Sequence, residues 1–289
     1  MKLVLPDVNG KLACSSLYYS QHLSRCEKIL EMRRHEIFSE KDSEMEEGDI
    51  SDQEDIDPFE LFRRGRLEIH GDTAILRIEG FLSQNSSFWE TEFNEGTSYE
   101  STLWALHAID SDASINRLLV LVDSGGGEVA GLSTVTDLMQ EVSLRLEGGS
   151  FGFTSSLAAS AAYAILISNL AVIADPWAIL GSIGVVEIFM TEARFLEEHG
   201  IDVYVARSGE RKMTPSPFEP LTEQGKEILD EEVSELSELF FEMVETARGS
   251  ISSDDWKSGR TYSAARAAEI NMIDTIMTFT ELQERINFS

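Results

Sequence analysis

Arg117-Leu118-Leu119-Val120-Leu121-Val122-Asp123-Ser124-Gly125-Gly126-Gly127 decides the fold. No polar residue alternates with the aliphatic side chains of Leu118 to Val122. The run therefore reads as a strand buried on both faces, as in a parallel sheet covered by helices. The glycines follow at the carboxyl end of that strand, where open α/β sheets gather their ligands. Taken alone, a glycine triplet fits a tight turn into the next helix equally well. It is no dinucleotide fingerprint, because the glycines are contiguous, and no Gly-Lys-Ser/Thr phosphate loop occurs.

Working outward, strands and helices alternate. Thr73–Ile78 reads as a strand, Tyr99–Asp110 as a helix, and Glu128–Leu146 as a helix with Val129, Leu132, Val135, Leu138, Met139 and Val142 at helical spacing. Ser150–Phe153 and Ala171–Ala174 read as strands on either side of a helix over Leu157–Ser168. Gly184–Met190, Thr191–His199 and Ile201–Ala206 repeat strand, helix, strand. Thr222–Arg248 is a long amphipathic helix. Ser263–Glu269 is a shorter one, stopped by Asn271 in the left-handed conformation. This alternation predicts an α/β fold with a mostly parallel sheet and helices on its faces.

Three segments are expected. Residues 1–39 form an N-terminal helical segment, with Leu17, Leu23, Ile29, Leu30 and Ile37 on an apolar stripe. Residues 40–57 form an acidic linker in which Lys41 is the single cation, and self-repulsion predicts disorder. Residues 58–289 carry the folded domain. At 289 residues and 42% hydrophobic, the chain is long enough for such a core.

A net charge of −29 argues against nucleic acid or anionic membrane as partners. Cys14 and Cys26 give neither a disulfide framework nor metal-ligand spacing, so no metal and no cofactor are expected. Pro6, Asp7 and Gly10 interrupt the N-terminus before any apolar signal core, which predicts a protein that is not secreted. The one membrane-length candidate, Leu157–Ala174, contains Ser160, Ser168 and Asn169 and reads better as buried helix and strand.

The chemistry centres on Leu157-Ala158-Ala159-Ser160-Ala161-Ala162-Tyr163. A serine that attacks a carbonyl needs room and nearby backbone N–H groups, and alanines on both sides provide the room. It also needs a base within hydrogen-bond reach. Among the histidines, His22 and His35 precede the linker, and His70 and His107 lie in ordinary strand and helix settings. His199 is the best rival, although a histidine closing a helix commonly answers the helix dipole. Lys212, in Ser208-Gly209-Glu210-Arg211-Lys212, is the only lysine between Lys41 and Lys226. A lysine is a general base only when uncharged, which requires desolvation or a neighbouring cation such as Arg211. On its own, Lys212 reads as an ordinary loop lysine.

Five blocks, in order, resemble the serine–lysine peptidases that include bacterial signal peptide peptidase (protease IV) and lambda-type phage head maturation protease. They are Leu-Val-Asp-Ser-Gly-Gly-Gly-Glu-Val-Ala-Gly (121–131), Ala-Ala-Ser-Ala-Ala-Tyr (158–163), Gly-Ser-Ile-Gly-Val (181–185), Ser-Gly-x-x-Lys (208–212) with Ser216-Pro217-Phe218, and Gly-Arg-Thr-Tyr-Ser (259–263). The resemblance spans roughly 66–286. It implies a ClpP/crotonase-type fold and an oligomer, with Ser160 as nucleophile and Lys212 as general base. It further implies that Ser182 orients the lysine and that Gly126 and the Ala161 amide form the oxyanion hole. Gly125 departs from the family's usual proline, which loosens the turn, and Asn271 replaces a usual glycine.

Ser160-Ala161-Ala162-Tyr163, in place of the cellular enzymes' Ser-Gly-Gly, and Phe218-Glu219-Pro220-Leu221 resemble the phage and prophage branch. This implies a head maturation protease in the host cytoplasm, inside the procapsid, cleaving scaffold and capsid proteins. The chain ends at Ser289 without the C-terminal scaffold extension of some relatives, so a separate scaffold is expected. The alternatives are a cytoplasmic signal-peptide-peptidase-like protease, or a non-proteolytic crotonase-like subunit that binds acyl-CoA or serves as structure.

Overall fold

A computed structural model describes residues 11–14, 66–85, 96–209, 211–253 and 255–286. In chain order the first elements are β1 (Lys11–Cys14), β2 (Leu67–His70), β3 (Thr73–Ser83), β4 (Thr97–Ser98), α1 (Tyr99–Ser111) and β5 (Arg117–Glu128). Next come α2 (Leu132–Arg145), β6 (Ser150–Thr154), β7 (Leu157–Ala159), α3 (Ala161–Ile167), β8 (Ala171–Ala174), β9 (Ile179–Gly181) and β10 (Val186–Glu187). The chain continues with α4 (Ala193–Glu198), α5 (Glu223–Arg248), β11 (Thr261–Ser263), α6 (Ala264–Glu269), β12 (Thr275–Ile276) and α7 (Phe279–Arg285).

The sheet runs β11-β9-β7-β5-β6-β8-β12, with β3 on the other edge of β5, and its pairings are mostly parallel. This is the α/β architecture, of ClpP/crotonase type, that the sequence leads one to expect.

The apolar run makes β5 the axis of the molecule. Leu118, Val120 and Val122 face the main core with Leu106 and Ile109 of α1, Val135 and Met139 of α2, and α3. Leu119 faces the opposite way, onto Ile75, Phe153, Ile173, Leu282 and Ile286. Each such fully buried side chain contributes roughly 1.5–3 kcal/mol, so the continuous run locks β5 at the centre. Helix α3 is buried along its whole length, which suits a helix with no polar face. Ends are fixed by caps: Ser98 accepts from Ser101 N at the start of α1, and Thr222 accepts from Gly225 N at the start of α5. Asn271 takes φ 70° and donates from its side chain to Arg248 O and Ser250 O, ending α6 in the left-handed conformation its position predicts.

Several boundaries differ from the sequence reading. The strand begun at Arg117 continues through the glycines to Glu128 rather than turning at them, and α2 begins only at Leu132. Leu157–Ala159 is a strand and the helix starts after Ser160, because β7 is claimed by β5 and β9 on either side. Ile201–Ala206 takes no regular structure, and only Val186–Glu187 of Gly184–Met190 pairs as a strand. Residues 11–14 form a strand where apolar periodicity predicts the start of a helix. The rest of the N-terminal segment and the whole acidic linker lie outside the described residues.

Candidate active site

Ser160 occupies the single residue between β7 and α3. Its φ of 55° and ψ of −124° are unusual for a residue with a side chain, and such a conformation costs of order 1–3 kcal/mol. Two backbone bonds hold it there. Ser160 N donates to Gly181 O at 2.7 Å, and Ser160 O accepts from Ala164 N at 3.1 Å. The flanking Ala158, Ala159, Ala161 and Ala162 are fully buried, which leaves no space for larger groups beside the hydroxyl. Ser160 Oγ is itself buried and has no hydrogen-bond partner. An orphaned buried hydroxyl costs about 1–3 kcal/mol. Strain and an unmet hydroxyl at one residue are what a core serine avoids, and they leave this hydroxyl free for a base to engage.

The sheet brings three of the expected partners to this turn. Ser124 pairs with Ala158 across β5 and β7, which brings the Ser160 turn at the end of β7 to the stretch of β5 that leads into Gly126. Ala159 pairs with Gly181, which places Ser182 beside the serine turn. Ala161 is the first residue of α3, and the first N–H groups of a helix have no partner within it. Gly126 N is already engaged: it donates to Ser124 Oγ at 3.0 Å, while Ser124 Oγ donates to Gly80 O at 2.6 Å. Buried Ser124 thus braces the glycine strand from within. The sequence reading passed over it, although its place directly before the triplet was a signal.

Lys212 is exposed and makes no hydrogen bond to Ser160 or Ser182. Its loop is nevertheless well tethered. Lys212 N donates to Gly209 O, Arg207 Nε donates to Lys212 O at 2.9 Å, and Arg207 also pairs with Glu219. Glu192 N donates to Pro217 O, tying the loop to the start of α4. His199, the rival base, bonds through Nδ1 to Phe195 O and stacks on the Phe195 ring. A different lysine lies closer to Ser182 than the sequence suggests. Lys257 lines a cavity of about 400 Å³ together with Ser182, Val186 and Phe241. That lysine pairs with Glu245 at 2.9 Å and rests over the Phe241 and Trp256 rings, so its charge is already answered.

Behind the site, Tyr163 donates to Met272 O at 2.8 Å and Tyr99 to Glu128 O at 2.6 Å. Burial pushes both phenols up, so each stays a neutral donor that pins its element. Among the described residues, no group of three or more His, Cys, Asp or Glu is placed to hold a metal ion. No described helix is long and apolar enough to cross a membrane.

Residues 152–288 match the model of Peptidase family S49. The chain is 29% identical over 178 residues to the probable protease SohB of Haemophilus influenzae, across 54% of this chain and 50% of that protein. It is 26% identical over 216 residues to a protein of Brucella abortus named Na(+)/H(+) antiporter NhaA, across 74% of this chain but 29% of the relative. It is also 24% identical over 171 residues to the head-tail preconnector protein GP5 of Enterobacteria phage P21, across 59% of this chain and 34% of that protein. The chain thus spans half or less of the length of these relatives. The match over 152–288 covers the serine turn, Ser182 and Lys212.

Proposed function

We propose that this S49-type chain is a serine endopeptidase that uses Ser160 with Lys212. One observation supports it above the others: a strained serine, ringed by buried alanines, whose hydroxyl has no structural duty. Ser160 Oγ bonds to the scissile carbonyl carbon while its proton passes to the uncharged amine of Lys212. The oxyanion that forms is received by the N–H groups of Ala161 and Gly126, the latter turning from Ser124 Oγ. Donors of this kind contribute about 3–4 kcal/mol each to transition-state stability. Collapse breaks the C–N bond, and the lysine returns its proton to the leaving amine. Water then enters by the same route and frees the acyl group. Ser182, beside the turn, orients the amine.

The exposure of Lys212 in a single chain has a counterpart in the surface around it. Helix α4 has no buried residue, and Phe195, Ile201, Val203, Tyr204, Met213 and Phe218 are all exposed. Exposed apolar side chains in this number along residues 195–218 suit an interaction surface. A second copy of the chain packing there would take Lys212 out of water, which is what an uncharged amine needs. A homo-oligomer is therefore part of the proposal.

For the substrate, we favour scaffold and capsid proteins of a phage head, with action inside the procapsid. The Ser160-Ala161-Ala162-Tyr163 run and the likeness to the phage P21 protein support this reading. A cellular role is the second reading, favoured by the likeness to SohB. Incubation with the proteins encoded beside this chain, which the phage reading expects to include capsid and scaffold proteins, followed by mass spectrometry, separates the two. Discrete fragments that disappear with Ser160→Ala are expected. Fragments that persist with Ser160→Ala overturn the assignment of the nucleophile, and intact capsid and scaffold proteins beside a digested generic peptide favour the cellular role.

A further inference from the structure

Strand β1 lies where a substrate would. Along the edge of β5 away from β3, positions 118–121 pair with β6 and Ser124 pairs with β7. From Gly126 onward that edge is taken by β1, antiparallel, with Leu12 opposite Glu128, Ala13 opposite Gly127 and Cys14 opposite Gly126. The far side of β1 pairs antiparallel with β10, Lys11 opposite Glu187 and Leu12 opposite Val186. Among the described residues, β10 has no other strand partner. Without β1, a slot two strand spacings wide, about 9.5 Å, would open between β5 and β10. Main-chain donors and acceptors would face into it from both sides, which is the requirement for adding an extended peptide.

The register aims this strand at the serine. Ser124 pairs with Ala158, two residues before Ser160, and Cys14 is opposite Gly126, two residues further along β5, so the Cys14 end of β1 is the end nearer the serine turn. Ser160 is 0% exposed in this arrangement. We propose that residues 11–14 act as an internal pseudo-substrate: the chain fills its own peptide groove with this strand, and an incoming peptide must displace it. The proposal rests on the reading of Ser160 as nucleophile.

The test combines two readouts on the full-length chain. The double variant Leu12→Pro/Ala13→Pro removes one N–H on each side of β1, and proline is not tolerated between two strands. Hydrogen exchange should show 126–128 and 186–187 protected in the parent chain and exchanging faster in the variant. A synthetic peptide of residues 8–17 added to the variant should restore protection. Labelling of Ser160 by a fluorophosphonate should be about fivefold faster or more in the variant, since the open form is no longer a minor population. Equal exchange in the two chains overturns the proposal, as does faster exchange with an unchanged labelling rate. Faster exchange with no labelling of Ser160 in either chain instead overturns the nucleophile and leaves the strand pairing standing.

Discussion

At the scale of single residues, the site is organised by what each group is denied. Ser160 is denied a hydrogen-bond partner and a relaxed backbone, and its neighbours are denied side chains beyond a methyl. Ser124 is the reverse case, with an Oγ that bonds both Gly80 O and Gly126 N. That makes it a positioning residue for the glycine strand. Ser124→Ala should lower kcat by about tenfold with a smaller change in KM, because the strand loses its tie to Gly80 O, and a misplaced Gly126 weakens binding of the oxyanion more than binding of the ground state. Steady-state kinetics on any cleaved peptide checks this, and an equal loss in both parameters would point to a role in folding only. Ser160 itself was legible from its alanine frame. The brace at Ser124 was not, because a serine before glycines has many uses and only the strand register shows which one applies.

At the scale of elements, tertiary pairing overrode local preference in both directions. Leu157–Ala159 lies in an alanine-rich run with high helix propensity, yet it is a strand because β5 and β9 supply hydrogen bonds on both sides. Ile201–Ala206 alternates like a strand but has no ladder partner among the described residues, and it lies largely exposed as irregular chain. Where burial was unambiguous, reading and structure agree closely: Ala171–Ala174 has the bounds its apolar run predicts, and α5 starts one residue inside the expected Thr222. The glycine triplet reads as a turn because glycine usually marks one. Here it serves close approach instead, since a Cβ on Gly127 would lie 1.8 Å from Leu82 O of β3. Backbone cannot yield as a flexible side chain can. Gly127→Ala should therefore destabilise the chain by about 3 kcal/mol or more, pushing β3 from β5. Thermal or urea unfolding tests this, and a shift under about 0.5 kcal/mol would contradict the register.

At the scale of the whole molecule, charge is the dominant fact. Asp and Glu number 52 against 23 Lys and Arg, for a net −29. Ion pairs such as Arg248 with Asp274 and Arg145 with Asp110 occur among the described residues, but acids outnumber Lys and Arg by more than two to one. Self-repulsion should therefore weaken the fold at low ionic strength. Raising sodium chloride from about 0.05 to about 0.5 M shortens the screening distance from roughly 14 to 4 Å, and the melting temperature should rise. A melting temperature that falls with salt would show that specific ion pairs outweigh repulsion. The charge was fully legible in the sequence. The relation between Lys212 and Ser160 was not, because it depends on how separate loops, and in our proposal separate copies, come together.

The most direct test of the central claim is the site of covalent labelling. The full-length chain, assembled at high concentration, is treated with a fluorophosphonate and digested, and the modified residue is located by mass spectrometry. A single adduct on Ser160 is expected, formed far more slowly in Lys212→Ala while that variant keeps its parent's melting temperature. A chain that cleaves peptides with Ser160 unmodified, or a Lys212→Ala variant labelled at the parent's rate, would contradict the account.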